Sequence, residues 1–370
     1  MTTAQDHRFM GRAMQLARSG LYSPHPNPRV GCVLVQQDEI IGEGWHAYSG
    51  GSHAEIVALN STSKTTQGAT AYVTLEPCSH HGRTPPCVEA LIEAGIARVV
   101  VAMQDPNPLV SGKGLQRLMD AGIKVETGLL AEEAETLNLG FIKRMRHGTP
   151  YVRSKLAMSL DGRTAMASGE SKWITGSAAR ADVQRLRAAS SAILTGIGTV
   201  LSDNPRLTVR LEASDLEMPT PETSPISPLR VVVDSQLRIP LDAEILQQAG
   251  KTLIFSCHHS IEKIAQLTEM GAEVVLLQGK RPDLRGVLEA LAARDINEVM
   301  VEAGSLLNGE LLSQNLVDEM VIYMAPCLMG DGAKGLFHLP ELNAMQDKVA
   351  LKIVDIRAIG KDWRITAKLQ

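Results

Sequence analysis

The sequence predicts an α/β protein built as two layered α/β domains. Three observations carry this prediction. Strand-like runs alternate with helical ones along most of the chain, and 370 residues are more than one core usually organises. A basic stretch, Lys143-Arg144-Met145-Arg146-His147-Gly148-Thr149-Pro150, then interrupts the alternation before a fresh strand at Tyr151. The boundary falls near residue 148, giving domains over 1–148 and 149–370. Interleaved strands and helices imply a largely parallel sheet covered by helices.

The elements follow in order. His7 to Ser19 reads as an opening helix, and Arg29 to Val35 and Glu39 to Gly44 as paired strands around a turn at Gln37-Asp38. His53 opens an apolar periodic run through Ile56, Val57 and Leu59. Thr70 to Glu76 is a strand; after Cys87, residues Val88, Leu91, Ile92 and Ile96 recur at helical spacing, with Gly95 placed to end the helix. A strand at Arg98 to Met103, a helix at Gly114 to Ala121 and a strand at Ile123 to Glu126 complete the first half. In the second half, a strand starts at Tyr151 to Lys155. Further β-rich runs recur at Ala192 to Thr195, Arg230 to Asp234, Thr252 to Ser256, Glu273 to Leu277, Glu298 to Val301 and Met320 to Met324. Leu211 to Pro228, rich in Pro, Ser, Thr and Glu, is a solvated loop.

Composition narrows the function classes. A net charge of −4 offers no concentrated basic surface for a phosphate backbone, so nucleic acid is not an expected partner. No apolar run is long enough to span a membrane. Five cysteines at irregular spacing fit a reducing, cytoplasmic setting rather than a disulfide framework, and Cys32, Cys257 and Cys327 read as structural.

The densest chemistry lies in the first domain, where His53-Ala54-Glu55 is followed by Pro77-Cys78 and then Cys87. One His and two Cys are a zinc ligand set, and three protein ligands leave the fourth tetrahedral position open to water. Such water ionises near neutral pH and can attack a ring carbon bearing an exocyclic amine, while Glu55 serves as general base and then general acid. The order matches the H-x-E…P-C-x-x-C signature of zinc deaminases, except that eight residues separate the cysteines here. Cys87 sits at a helix start, where N–H groups and the positive dipole end favour a thiolate. A structural zinc clip is the rival reading, and His80 and His81 compete as ligands.

The second domain carries no G-x-G-x-x-G after a strand. Two weaker glycine turns, Thr195-Gly196-Ile197-Gly198-Thr199 and Glu302-Ala303-Gly304-Ser305-Leu306-Leu307-Asn308-Gly309-Glu310, follow strands and open helices, so each is either a phosphate cradle or a plain connection. Arg180, Arg185, Arg187, Arg206 and Arg210 suit a phosphorylated ligand or a solvated helix face equally.

Three stretches are more specific: His25-Pro26-Asn27-Pro28-Arg29-Val30-Gly31, the run from Thr74 through Pro77-Cys78 to Cys87, and Lys155-Leu156-Ala157-Met158-Ser159-Leu160-Asp161-Gly162-Arg163-Thr164-Ala165. With them the whole chain resembles the bifunctional riboflavin-biosynthesis deaminase/reductase family, in which the long cysteine spacing is usual. The resemblance implies a cytidine-deaminase-like domain that hydrolyses the 2-amino group of a diaminopyrimidinone ribosylamine 5′-phosphate. It also implies a dihydrofolate-reductase-like domain that uses NADPH to reduce ribosyl to ribityl. It gives zinc to His53, Cys78 and Cys87 and proton transfer to Glu55. The cofactor falls to Ala157, Trp173, Thr199, Asp203, Ser235 and Gly304, Ser305, Leu306, Leu307, Asn308, Gly309 and Glu310. The substrate falls to Ser171, Arg187, Leu207, Arg210 and Glu302, and a homodimer is expected. The competing reading is a single-function nucleoside or nucleic-acid deaminase with a C-terminal binding module.

Overall fold

In the computed structural model, residues 2–79, 86–108, 110–216 and 227–370 are described. Contacts divide the chain into two units, Met1–Gly148 with Ala213–Ile226, and Thr149–Glu212 with Ser227–Gln370.

In the first unit, α1 (Ala4–Ser19) starts ahead of the expected His7 because Thr3 and Asp6 form a capping box that satisfies its first N–H groups. β1 (Gly31–Gln36) and β2 (Glu39–Trp45) form a hairpin whose turn residues Gln37 and Asp38 both have positive φ, 49° and 64°, matching the twist of the strands. There follow α2 (Ala54–Ser61), β3 (Thr70–Val73), α3 (Cys87–Glu93), β4 (Arg98–Val101), α4 (Lys113–Asp120), β5 (Lys124–Thr127), α5 (Ala131–Leu137) and α6 (Leu139–His147). The sheet order is β2-β1-β3-β4-β5, with β1 antiparallel to both neighbours and β3, β4 and β5 parallel, so this sheet is mixed rather than largely parallel.

Glycines on β2 bring a helix onto the sheet. A Cβ on Gly42 would meet the Ala58 carbonyl oxygen at 2.4 Å, and one on Gly44 the Ala54 carbonyl oxygen at 2.4 Å. The axis of α2 therefore rests directly on β2, which fixes where His53 and Glu55 emerge. The basic stretch read as an interruption is helical as far as His147. Arg144, Arg146 and His147 occupy the last turn of α6, against the negative end of its dipole, and Gly148 ends it with φ 66°.

The second unit contains β6 (Tyr151–Ser159), β7 (Arg163–Ala165), α7 (Ser177–Ala188), β8 (Ala192–Gly196), α8 (Ile197–Asp203), β9 (Leu229–Val233), β10 (Thr252–Ser256), α9 (Ile261–Glu269) and β11 (Ala272–Leu276). It continues with α10 (Leu284–Ala292), β12 (Glu298–Val301), α11 (Ser305–Ser313), β13 (Glu319–Ala325), β14 (Lys334–Gly335), β15 (Leu351–Ile359) and β16 (Asp362–Leu369). The large sheet runs β11-β10-β9-β8-β12-β6-β13-β16-β15 and is parallel except where β16 pairs antiparallel with β13 and β15. Its central strands are buried on both faces, with Val152, Leu194, Val231, Phe255 and Val301 packed against Leu288 and Leu291 of α10 and Leu311 of α11. Such strands read as continuous apolar runs, which is why they stood out in the sequence. The β15–β16 hairpin did not, because β15 is exposed or half-exposed throughout and carries no alternation of buried and open positions. No helix of the described residues is long and apolar enough to cross a membrane.

Candidate functional site

Two helix starts converge in the first unit. His53 is the N-cap of α2 and Cys87 the first residue of α3, while Cys78 lies on the chain leaving β3. His53 Nδ1 is 3.2 Å from Cys87 Sγ and 3.5 Å from Cys78 Sγ, and the three ligand atoms all lie within 4.8 Å of one another. A tetrahedral zinc with N and S bonds of about 2.0 and 2.3 Å separates such donors by about 3.5 Å, so the set fits the ion. Among the described residues no fourth His, Cys, Asp or Glu joins the group. His80 and His81 lie outside the described residues.

The helix start acts on a different sulfur from the one expected. The Cys87 backbone N–H donates to Cys78 Sγ at 3.3 Å. Hydrogen bonds from Cys87 and His53 hold the Cys78 thiol down at about 4, whereas the Cys87 thiol is pushed up, chiefly by its hydrogen bond to Cys78 and by burial. His53 is raised, first by its bond to Cys78. Glu55, in the first turn of α2, is 3% exposed. Burial first and the Cys78 sulfur second push its carboxyl up to about 7, where a carboxylate can both take and return a proton near neutral pH. His46, which sequence reasoning missed, packs edge-on against the His53 ring with centroids 5.4 Å apart. Its Nδ1 lies 3.0 Å from the Ser52 carbonyl and its Nε2 3.0 Å from Asn27 Nδ2, within the quoted His25 to Gly31 stretch. Nothing in its spacing singled it out.

In the second unit, two helix starts again meet. Gly196 and Gly304 are the N-caps of α8 and α11, which leave the adjacent parallel strands β8 and β12. A Cβ on Gly196 would lie 3.3 Å from Leu307 Cδ2, whereas nothing lies within 4 Å of one on Gly198 or Gly304. The open edge therefore combines two sets of helix N–H groups, an arrangement suited to phosphate. Within the second turn the roles divide. Leu306 is exposed. Asn308 is buried, donating to the Ala303 carbonyl at 2.7 Å and accepting from Ser154 Oγ at 2.7 Å, and Gly309 is pressed under the His338 backbone, where a Cβ would come within 2.1 Å. Those two build the turn from beneath.

The predicted substrate residues cluster beside it. Arg187 donates from Nε and Nη2 to both carboxylate oxygens of Glu302, at 2.6 and 2.9 Å, and from Nη1 to the Thr208 carbonyl at 2.9 Å. The Arg187 and Lys155 charges outweigh burial and hold Glu302 below the usual carboxylate range. Arg210 is lowered by burial and then by Arg187 and Arg206, the mark of cations gathered at one place. Leu207 is buried in the core with φ 50°, so only its backbone is available. Lys172 Nζ reaches the Asp203 carbonyl at 3.1 Å, bringing the Ser171 to Trp173 segment alongside the end of α8, and exposed Trp173 stacks on Arg180 with 4.7 Å from guanidinium carbon to ring centroid. Ser235 follows β9, its carbonyl accepting from the Cys257 N–H at 3.2 Å, and Ala157 lies mid-strand in β6 opposite Tyr323.

Two family models match the chain. The cytidine and deoxycytidylate deaminase zinc-binding region matches residues 3–103, and the RibD C-terminal domain matches residues 150–365. The chain is 50% identical over 361 residues to the riboflavin biosynthesis protein RibD of Escherichia coli, covering 97% of this chain and 98% of that one. The chain belongs to the RibD family. RibD of Haemophilus influenzae is 48% identical over 367 residues, covering 98% of this chain and 97% of that one. The Acinetobacter baumannii RibD structure superposes with a TM-score of 0.91 at 46% identity, covering 99% of each chain. A Thermotoga maritima diaminohydroxyphosphoribosylaminopyrimidine deaminase/5-amino-6-(5-phosphoribosylamino)uracil reductase superposes with a TM-score of 0.86 at 34% identity, covering 99% of each chain. The RibD family is one of enzymes of riboflavin biosynthesis, and the chain is a deaminase joined to a reductase. The binding-module alternative for the second half is not favoured, since that half matches the RibD reductase domain.

Proposed function

We infer that the chain catalyses two consecutive steps on a pyrimidine ribosyl phosphate. Residues 1–148 remove the 2-amino group of a diaminopyrimidinone ribosylamine 5′-phosphate by hydrolysis, and residues 149–370 reduce the ribosyl group to ribityl. The observation that carries the reading is one His and two Cys at ligand spacing beside the buried carboxyl of Glu55. Zinc held by His53, Cys78 and Cys87 would supply a water acidified at its open position. Glu55 takes a proton from the attacking water and hands it to the departing nitrogen; the C–O bond forms, the C–N bond breaks, and ammonia leaves.

For the second step NADPH would supply a hydride. With the cofactor bound, that hydride would reduce the anomeric carbon and a proton from solvent would go to the ring oxygen as its bond to that carbon breaks, giving the linear ribityl chain. The starts of α8 and α11, with Thr199, Asp203, Ser235, Ala157 and Trp173, are the residues offered to the cofactor. Arg210, Ser171 and the Leu207 backbone are offered to the substrate, with Arg187 holding Glu302 in place. The enzyme is read as cytoplasmic and as a homodimer. The five cysteines are all free, and Leu351, Ile353, Val354 and Ile356 expose apolar surface along the edge strand β15, a ready template for a second copy. Metal removal tests the first step. The stripped chain is expected to release no ammonia and to recover with added zinc, while still reducing the deaminated intermediate. Full ammonia release from metal-free chain contradicts the reading.

A further inference from the structure

We propose that Glu76 is a positioning residue of the first site, clamping the Pro77–Cys78 backbone to the start of α4 so that Cys78 Sγ is held where a metal ligand must be. The inference rests on the zinc reading above. Glu76 is 3% exposed, and its carboxylate is surrounded by backbone donors. Oε2 accepts from the N–H of Asp105 at 3.1 Å and of Gly112 at 3.0 Å; Oε1 accepts from Gly114 at 2.9 Å and Leu115 at 3.4 Å.

Three of those donors lie at the start of α4, Gly112 as its N-cap and Gly114 and Leu115 in its first turn. Gly112 has no side chain to offer. The orphan N–H groups that every helix start leaves are satisfied instead by a carboxylate 36 to 39 residues earlier, placed at the positive end of the dipole. Steric contact reinforces the clamp, because a Cβ on Gly114 would lie 2.1 Å from the Pro77 carbonyl oxygen. From the other sides, the Glu76 N–H donates to the Met103 carbonyl at 3.0 Å and the Cys78 carbonyl accepts from Val88 at 3.2 Å. Residues 76–78 are thus bracketed by the end of β4, the start of α4 and the start of α3, and Cys78 has little room to swing.

The clamp needs two acceptor oxygens. In Glu76→Gln, one is replaced by an amide N–H₂ pointing at N–H donors, so bonds are lost and repulsion added while shape is nearly kept. The test loads wild type, Glu76→Gln and Gly114→Ala with Co²⁺ and records thiolate-to-cobalt absorption, ligand-field bands and competition with a chelator. Glu76→Gln is expected to show shifted ligand-field bands, metal held about 10–100-fold more weakly, a fall in deamination kcat larger than the rise in KM, and unchanged NADPH-dependent reduction. Wild-type bands and wild-type affinity in the folded variant would overturn the proposal. If Glu76→Gln is not recovered folded, Gly114→Ala decides. It keeps the carboxylate and displaces the Pro77 carbonyl, so unchanged bands there overturn the clamp. Lack of thiolate absorption in wild type would instead sink the zinc reading, and the clamp with it.

Discussion

At the scale of the residue, identical side chains take different roles from their neighbours. Two cysteines nine residues apart end with opposite tendencies, chiefly because the side-chain hydrogen bond between them lowers Cys78 and raises Cys87. Glu55 is raised because it is buried beside a thiolate, and Glu302 is lowered because an arginine fork grips it. For Glu55→Gln, zinc content and reduction are expected to stay at wild-type levels while deamination is lost; a normal rate of ammonia release would remove Glu55 from its role. Arg187→Lys keeps the charge and loses the fork. A charge-assisted bond is worth about 1.5–3 kcal/mol, so reductase kcat/KM should fall roughly tenfold or more with deamination unaffected. Equal reductase kinetics in the two proteins would show that the Arg187–Glu302 geometry does not matter. The gathering of His53, Cys78 and Cys87 was legible from order and residue type. His46 and Glu76 were not, since a buried polar group is recognised by what surrounds it and its sequence neighbours are uninformative.

At the scale of the element, α1 is anchored through Asp6. Its carboxylate takes the Arg98 guanidinium at 2.7 Å, the Tyr72 hydroxyl at 2.6 Å and the Thr3 N–H at 2.7 Å, tying the helix to β3 and β4. Arg98 above all holds the Asp6 carboxyl far below the usual carboxylate range. A depressed folded pKa contributes stability that is complete above the unfolded value, about 3.9, and is lost as pH falls toward the folded one. Asp6→Asn, which removes one side of a partly buried pair, should therefore cost about 1.5–3 kcal/mol at neutral pH, and its deficit should shrink as pH drops below 4. Denaturant midpoints of the first unit against pH read this directly, and a deficit independent of pH would contradict it. Elements buried on both faces, such as β10 and β12, were legible to the residue. α6 was hidden by its own capping charges, and β15 by having no buried face.

For the whole molecule, the alternation of strands and helices gave the α/β class, and the ligand motif together with the resemblance gave the family before any coordinate. What alternation could not give was strand order, because pairing such as β12 between β8 and β6 joins segments far apart in the chain. The central claim is that one chain performs deamination and then reduction at two separate sites, the first needing no nicotinamide. Mass analysis of products from the diaminopyrimidinone ribosylamine phosphate, with and without NADPH, tests it most directly. The expected result is a deaminated ribosyl product without cofactor and its two-hydrogen-heavier ribityl form once NADPH is added. Loss of the amine with no reduction under any condition would contradict the account of the second unit, and reduction without prior deamination would contradict the order.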